Sequence, residues 1–227
     1  MSKFLLLETS TKNCSVALAE DEQIIDSIDE AADKYLHSEK LHPYIDKLLK
    51  RNRWEASDLD AVGVGKGPGS YTGLRIGVSA AKGIAYGLNK PLISVGSLEI
   101  LARGIRVDKG FIVPMIDARR MEAYTAVYRA DYERIREIKA EILHPDSFIE
   151  YLEKSPVYFV GDAVTKAKEI IKHPHAIFTD HTYPQAKNML LPFLEKWKNK
   201  DFENIAYFEP FYLKDFIAKK KKNIFGK

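Results

Sequence analysis

The chain of 227 residues predicts an α/β fold made of one pattern used twice. Two observations carry that reading. Each half runs as three closely linked strands followed by alternating helices and strands. The segment Gly65–Leu88, GKGPGSYTGLRIGVSAAKGIAYGL, opens as a glycine-rich turn after an apolar run and then becomes a helix with small residues every four positions.

In the first half, β-branched and apolar residues bounded by polar turns predict strands over Lys3–Thr9, Cys14–Glu20 and Gln23–Asp29. A helix follows over about His42–Arg51. Its apolar residues Leu41, Tyr44, Ile45, Leu48 and Leu49 fall at helical spacing, with Pro43 near its start. Strand Leu59–Gly65, helix Gly69–Leu88, strand Pro91–Val95 and helix Ser97–Gly104 complete the half. The second half gives strands Phe111–Asp117, Met121–Arg129 and Ile135–Leu143, then helix Asp146–Lys154 and strand Val157–Gly161. Helix Ala163–Ile171, strand His175–Thr179 and helix Pro184–Lys200 follow, and Tyr212–Ile224 reads as a last helix.

Three short-linked strands predict an antiparallel meander. Strand–helix–strand crossovers add parallel strands and place helices on the sheet faces. One such unit resembles a ribonuclease-H-like lobe. Two in tandem resemble the actin/hexokinase/Hsp70 ATPase superfamily, which binds nucleotide between its lobes when it binds one at all. The seam falls at Arg103–Lys109, giving lobes 1–105 and 106–227, with the segment 212–224 packing back on the first.

Composition narrows the class. The chain has 35 basic and 32 acidic residues, a net charge of +3, and 45% hydrophobic residues, enough for a packed core. That balance does not by itself announce a nucleic-acid binder. The basic excess is concentrated in Lys219–Lys222 and Lys227. A single cysteine, Cys14, excludes an internal disulfide and fits a reducing compartment. No apolar run reaches the roughly 18 residues of a membrane span, and MSKFLLLETS lacks the features of a signal peptide. These features predict a cytoplasmic protein with no membrane association.

The chemistry-bearing candidates cluster around the glycine segment. Glycine inside a helix costs about 1 kcal/mol relative to alanine. Gly69, Gly73 and Gly77 on one line therefore imply that another backbone comes very close, or that a loop wraps a phosphate. The turn Glu8-Thr9-Ser10-Thr11 and the turn Gly67-Pro68-Gly69-Ser70 are both candidate anion cradles. Glu8, Thr9, Ser10, Gly67, Gly69 and Ser70 are thus the candidate phosphate or nucleotide contacts. A P-loop is excluded, because Gly67 follows Lys66 where Ser or Thr is required. His37 and His42 are five apart, not at the i, i+4 spacing of a helical metal pair, and G-x-S-x-G is absent. No metal site and no catalytic residue is predicted. The second helix carries Leu74, Ile76, Val78, Ile84 and Leu88 all round, which calls for two partners, a sheet and something else. The charged stretch Asp117-Ala118-Arg119-Arg120-Met121-Glu122 reads as a solvated hairpin, an ion-pair network between lobes, or a polar cleft wall. Gly161-Asp162-Ala163 is another candidate phosphate turn.

These residues together resemble the bacterial TsaB (YeaZ) family nearly end to end. The strongest match is GPGSYTGLRIGVSAAKGIAYGL. LLLETSTKNCSVAL, HSEKLHPYIDKLL, MIDARRMEAY, the GDA turn and EPFYLK support it. Glu8 departs from the Asp of many members. The resemblance implies an actin-like fold without independent turnover. It implies an accessory subunit of the synthase that transfers a threonylcarbamoyl group to N6 of the adenosine beside the anticodon of ANN-reading tRNAs. It implies a TsaD-like catalytic partner, a TsaE-like ATPase, tRNA bound through the complex, and a homodimer when alone. No cofactor is expected to bind tightly, with ATP or ADP in the partner or at the complex interface. The partner surface it implies is Leu41, Ile45 and Leu48 on one helix and Tyr71, Leu74, Arg75 and Val78 on the other. The alternatives are a stand-alone kinase or ATPase using Glu8 and Asp117, and a glycoprotease-like metallopeptidase.

Overall fold

The computed structural model describes residues 1–32 and 36–214. The first lobe begins with strands β1 (Lys3–Glu8), β2 (Asn13–Glu20) and β3 (Gln23–Ala31). Helix α1 (His37–Asn52), strand β4 (Ala61–Gly65), helix α2 (Tyr71–Leu88), strand β5 (Leu92–Val95) and helix α3 (Ser97–Ala102) follow. Its sheet has the order β3-β2-β1-β4-β5. The first three strands are antiparallel, and β4 and β5 are parallel to β1.

The second lobe repeats the plan. Strands β6 (Phe111–Asp117), β7 (Glu122–Arg129) and β8 (Arg134–Ile142) precede helix α4 (Ile149–Leu152) and strand β9 (Val157–Val160). Helix α5 (Val164–Ile170) and strand β10 (Ala176–Phe178) complete it. Read from β8, the order is β8-β7-β6-β9-β10, with the same mixture of antiparallel and parallel pairs. Two mixed sheets with this shared strand order are the duplicated ribonuclease-H-like arrangement.

Alternation along the strands makes each sheet a middle layer. Leu5 and Leu7 of β1 join the core under α1 and α2, while Phe4 and Leu6 face the opposite side. On that opposite side sits α6 (Leu190–Lys198), preceded by a short 3-10 turn over Ala186–Met189. Met189, Phe193 and Leu194 fill the core against Phe4 and Leu6, and the Phe4 and Phe193 rings meet edge to face at 4.9 Å. The expected division at residue 105 therefore fails for the chain from Ala186 onward. That segment packs on the first lobe, where among the described residues only the short α3 otherwise reaches the far face of the sheet. Helix α3 is shared. Ile100 faces the first sheet, and Leu98, Leu101 and Ala102 pack on Ile112, Ile116 and Tyr128 of the second.

After α6 the chain runs as a strap along the first lobe. The Glu203 N–H donates to the Leu92 carbonyl at 2.8 Å, Lys82 Nζ donates to the Phe208 carbonyl at 2.8 Å, and the Phe211 N–H donates to the Lys66 carbonyl at 2.7 Å. Tyr212 packs against Tyr71 with the rings tilted and their centroids 4.7 Å apart, and Lys214 pairs with Glu122 of the second lobe. Tyr212–Lys214 are not helical. The rest of the helix expected over 212–224 lies outside the described residues.

Other boundaries moved for local reasons. Helix α1 starts at His37, one turn before Pro43, because His37 is buried and its Nε2 meets the Thr11 carbonyl at 2.7 Å. The helix expected over Asp146–Lys154 shrinks to Ile149–Leu152, because Phe148 is left-handed (φ 65°) and turns its ring onto Phe159. No helix among the described residues is long and apolar enough to cross a membrane.

Candidate functional site

The glycine line of α2 is a backbone contact. The turn between β1 and β2 lies directly on the helix. A methyl group added at Gly69 would overlap the Ser10 carbonyl, at Gly73 the Thr9 carbonyl, and at Gly77 the Thr9 hydroxyl. The Thr9 hydroxyl donates to the Gly73 carbonyl at 2.8 Å, and the Ser70 N–H donates to the Ser10 carbonyl at 2.6 Å.

The same bonds decide what the turn can bind. Glu8 is fully buried. Its carboxylate accepts from the Ser10 N–H at 2.6 Å and from the Ser97 hydroxyl at 3.0 Å. Burial pushes the Glu8 carboxyl above the ordinary range, against the pull of these hydrogen bonds. The Gly67 N–H is taken by the Ser97 hydroxyl at 3.1 Å, and the Gly73 N–H by the Ser70 hydroxyl at 3.3 Å. Of the six candidate phosphate contacts, only Ser10, Gly69 and Ser70 line the cleft between the lobes. Glu8, Thr9 and Gly67 are corrected to packing roles, because a carboxylate with no exposed surface and donors already engaged offer nothing to a phosphate.

Helices α1 and α2 are paired on the sheet, and their burial divides the expected partner surface. Leu41, Ile45, Leu48, Leu74 and Val78 are all buried within this chain, with Leu41, Leu48 and Leu74 at 1% exposure or less. They form the core between helix and sheet, so they are not available for direct contact. A Leu74→Arg change would therefore report on folding, not on association. Tyr71 is half-buried and Arg75 exposed, with the Arg75 guanidinium 4.1 Å over the Tyr71 ring. The outward face of α2 continues through Ser79, Gly83, Tyr86 and Gly87, all exposed. Among the described residues, no neighbouring group lies within 4 Å of a methyl placed at Gly83 or Gly87, and Tyr86 is 79% exposed. These two glycines form a second small-residue pair on a different face of α2. The four-residue spacing was readable in the sequence but was masked by the first line.

The second lobe supplies the opposite cleft wall. An open cleft of about 530 Å³ is lined by Ser10 to Lys12, Gly69 to Thr72, Ile116 to Arg119, Tyr124, Asp162 and the strap from Phe211 to Lys214. The charged stretch after β6 is a hairpin tip at this rim. The Asp117 N–H donates to Asp162 at 2.7 Å, and Lys166 Nζ donates to Asp117 at 2.5 Å. Burial, reinforced by the Asp117 charge, pushes the Asp162 carboxyl up to about 6. The candidate phosphate turn at Gly161 is thus spent on positioning the hairpin. Arg119 and Arg120 both take left-handed backbone, at φ 71° and 52°. Such conformations cost about 1 kcal/mol or more each for a residue with a side chain. Their residue types gave no hint of that turn, which usually draws Asn and Gly.

Comparisons with known proteins agree with this geometry. Residues 28–222 match the family model for TsaD, tRNA N6-adenosine threonylcarbamoyltransferase. The TsaB tRNA threonylcarbamoyladenosine biosynthesis protein of Bacillus subtilis is 34% identical over 172 residues, 74% of each chain. That of Escherichia coli is 28% identical, over 96% of this chain and 97% of its own. Among solved structures, YeaZ from Pseudomonas aeruginosa aligns with a TM-score of 0.79 at 28% identity, covering 94% of this chain and all of that one. With these relatives, its duplicated lobes and its glycine-lined helix, the chain belongs to the TsaB (YeaZ) family of tRNA threonylcarbamoyladenosine biosynthesis proteins.

Proposed function

We propose that this chain is a scaffold subunit without turnover of its own. It binds a TsaD-like catalytic partner in the cytoplasmic complex that places a threonylcarbamoyl group on N6 of the adenosine beside the anticodon. The observation that carries this reading is the outward face of α2. Glycine in an exposed helix costs about 1 kcal/mol. Among the described residues, Gly83 and Gly87 have no neighbour that requires them. A second helix lying against that face does require them, and the flanking Tyr86 and Arg75 are the anchor types favoured at interfaces. The partner surface is therefore drawn through Tyr71, Arg75, Ser79, Gly83, Tyr86 and Gly87, with Leu41, Ile45, Leu48, Leu74 and Val78 shaping it from beneath. Nucleotide and a TsaE-like ATPase are assigned to the partner side or the complex interface. The filled turn at Glu8 gives no support to an autonomous kinase.

The test is size-exclusion chromatography with light scattering, on the chain alone and mixed with the TsaD-like protein of the same genome. The wild type exchanges a homodimer for a one-to-one complex. Gly83→Arg keeps the fold and melts no lower than the wild type, but forms neither assembly. An undiminished complex with Gly83→Arg would remove α2 from the interface. ATP turnover by the chain alone, abolished in Glu8→Ala, would replace the scaffold reading with an enzymatic one.

A further inference from the structure

Arg119 and Arg120 are the one pair of consecutive non-glycine residues with left-handed backbone among the described residues. Glycine or asparagine adopts positive φ at least strain. Here two arginines adopt it side by side in the β6–β7 connection, both exposed. Among the described residues neither guanidinium has a hydrogen-bond or ion-pair partner, while the backbone beneath them is held from several sides. Lys166 Nζ donates to Asp117 Oδ1 at 2.5 Å, to the Arg120 carbonyl at 3.1 Å and to the Glu122 carbonyl at 2.5 Å. The Arg119 N–H donates to Asp117 Oδ1 at 2.9 Å, and Asp162 accepts from the Asp117 N–H. The tip is rigid and its two charged ends are unspent. Strain retained at a rigid, exposed turn points to a binding role.

The surroundings indicate the ligand. Arg119 lines the same cleft rim as Lys12, and as Lys214, which pairs with Glu122. Several cations around one opening suit a polyanion, whose charges recur along a backbone, better than a single carboxylate. The guanidinium fork matches phosphate oxygens in pairs. We propose that the β6–β7 tip is a phosphate clamp, in which Arg119 and Arg120 engage the phosphodiester backbone of RNA at the cleft mouth. The choice of RNA rests on the function proposed above. The contact carries affinity and register but no base sequence.

The test is fluorescence anisotropy of a labelled, unmodified transcript of an ANN-reading tRNA, titrated with the chain and its TsaD-like partner across a salt series. R119A/R120A should weaken binding about tenfold at low salt and lower the slope of log affinity against log salt by about two, one per lost phosphate contact. R119K/R120K should keep most of the slope. R120G should melt higher than the wild type, because glycine relieves the left-handed position, yet bind the transcript more weakly. Unchanged affinity and slope in R119A/R120A, with the protein complex intact, overturn the clamp. So does a variant that leaves RNA binding alone and weakens association with the protein partner, which would assign the arginines to protein carboxylates. If the wild type fails to join the partner, the scaffold reading falls. The same variants compared on the chain alone then still decide the clamp.

Discussion

The first hairpin of each lobe occupies the same place in the fold, and the two have been put to opposite uses. In the first lobe the β1–β2 turn lies against an 18-residue helix, α2, and the contact is backbone on backbone across glycine. In the second lobe the helix in the matching position, α5, has 7 residues, and a lysine stands where the glycine line would be. Lys166 acts as a spacer. It bonds the hairpin tip from below and keeps it at the rim instead of letting it settle on the helix. Duplication thus produced one turn whose polar groups are consumed by packing and one whose charged groups remain available. The difference rests on whether the facing helix carries a side chain.

The sharpest way to break this comparison is to give the first lobe what the second has. Gly73→Ala adds one methyl against the Thr9 carbonyl. In an ordinary helix that change stabilises by about 1 kcal/mol. Here it should destabilise by about 3 kcal/mol, because backbone on both sides cannot yield. A rise in the denaturant midpoint would show that the turn moves freely off α2. The reverse change is milder. Lys166→Met keeps most of the stem's packing but removes three bonds to the hairpin, and should cost about 1–2 kcal/mol. Amide exchange at Arg119–Glu122 should then accelerate while that at Glu8–Asn13 does not. Equal protection of both turns would deny Lys166 its spacer role.

The smallest effect concerns Asp162 and is read through pH. Its carboxyl is raised to about 6, above the usual carboxylate value near ~4, so the folded state holds its proton more tightly than the unfolded one. The stability it contributes is complete below about pH 4 and is lost as pH rises through about 6. Asp162→Asn keeps an acceptor for the Asp117 N–H and abolishes that loss. The variant should melt above the wild type at pH 7, with the gap closing below about pH 4. A gap that stays constant across this range would place the origin elsewhere.

Much of the fold was legible because each lobe's local signals agree with its global role. The alternation of β1, the stripe of α1 and the glycine spacing of α2 all point the same way. The glycine line was readable as a close approach or a phosphate-wrapping loop, and the structure shows the close approach of Thr9 and Ser10. The stripe by itself does not separate a partner surface from the core. Leu41, Leu48 and Leu74 are apolar at helical spacing whether they meet a sheet or a stranger, and only burial separates the two. Two features had no local signal. Arg119 and Arg120 do not resemble turn residues, and α6 follows the second lobe in sequence although its apolar face fits only the first sheet.

The placement of α6 constrains the order in which the protein can be made. Phe193 and Leu194 complete the core begun by Phe4 and Leu6, nearly the whole chain away, and Glu203 then seals the edge at Leu92. On the ribosome, the strands that emerge first must wait with one oily face uncovered while the second lobe is synthesised and closes on itself. The lobe that starts the chain is the last to finish, so the amino-terminal half cannot serve as a free-standing unit and the nascent protein depends on protection during translation.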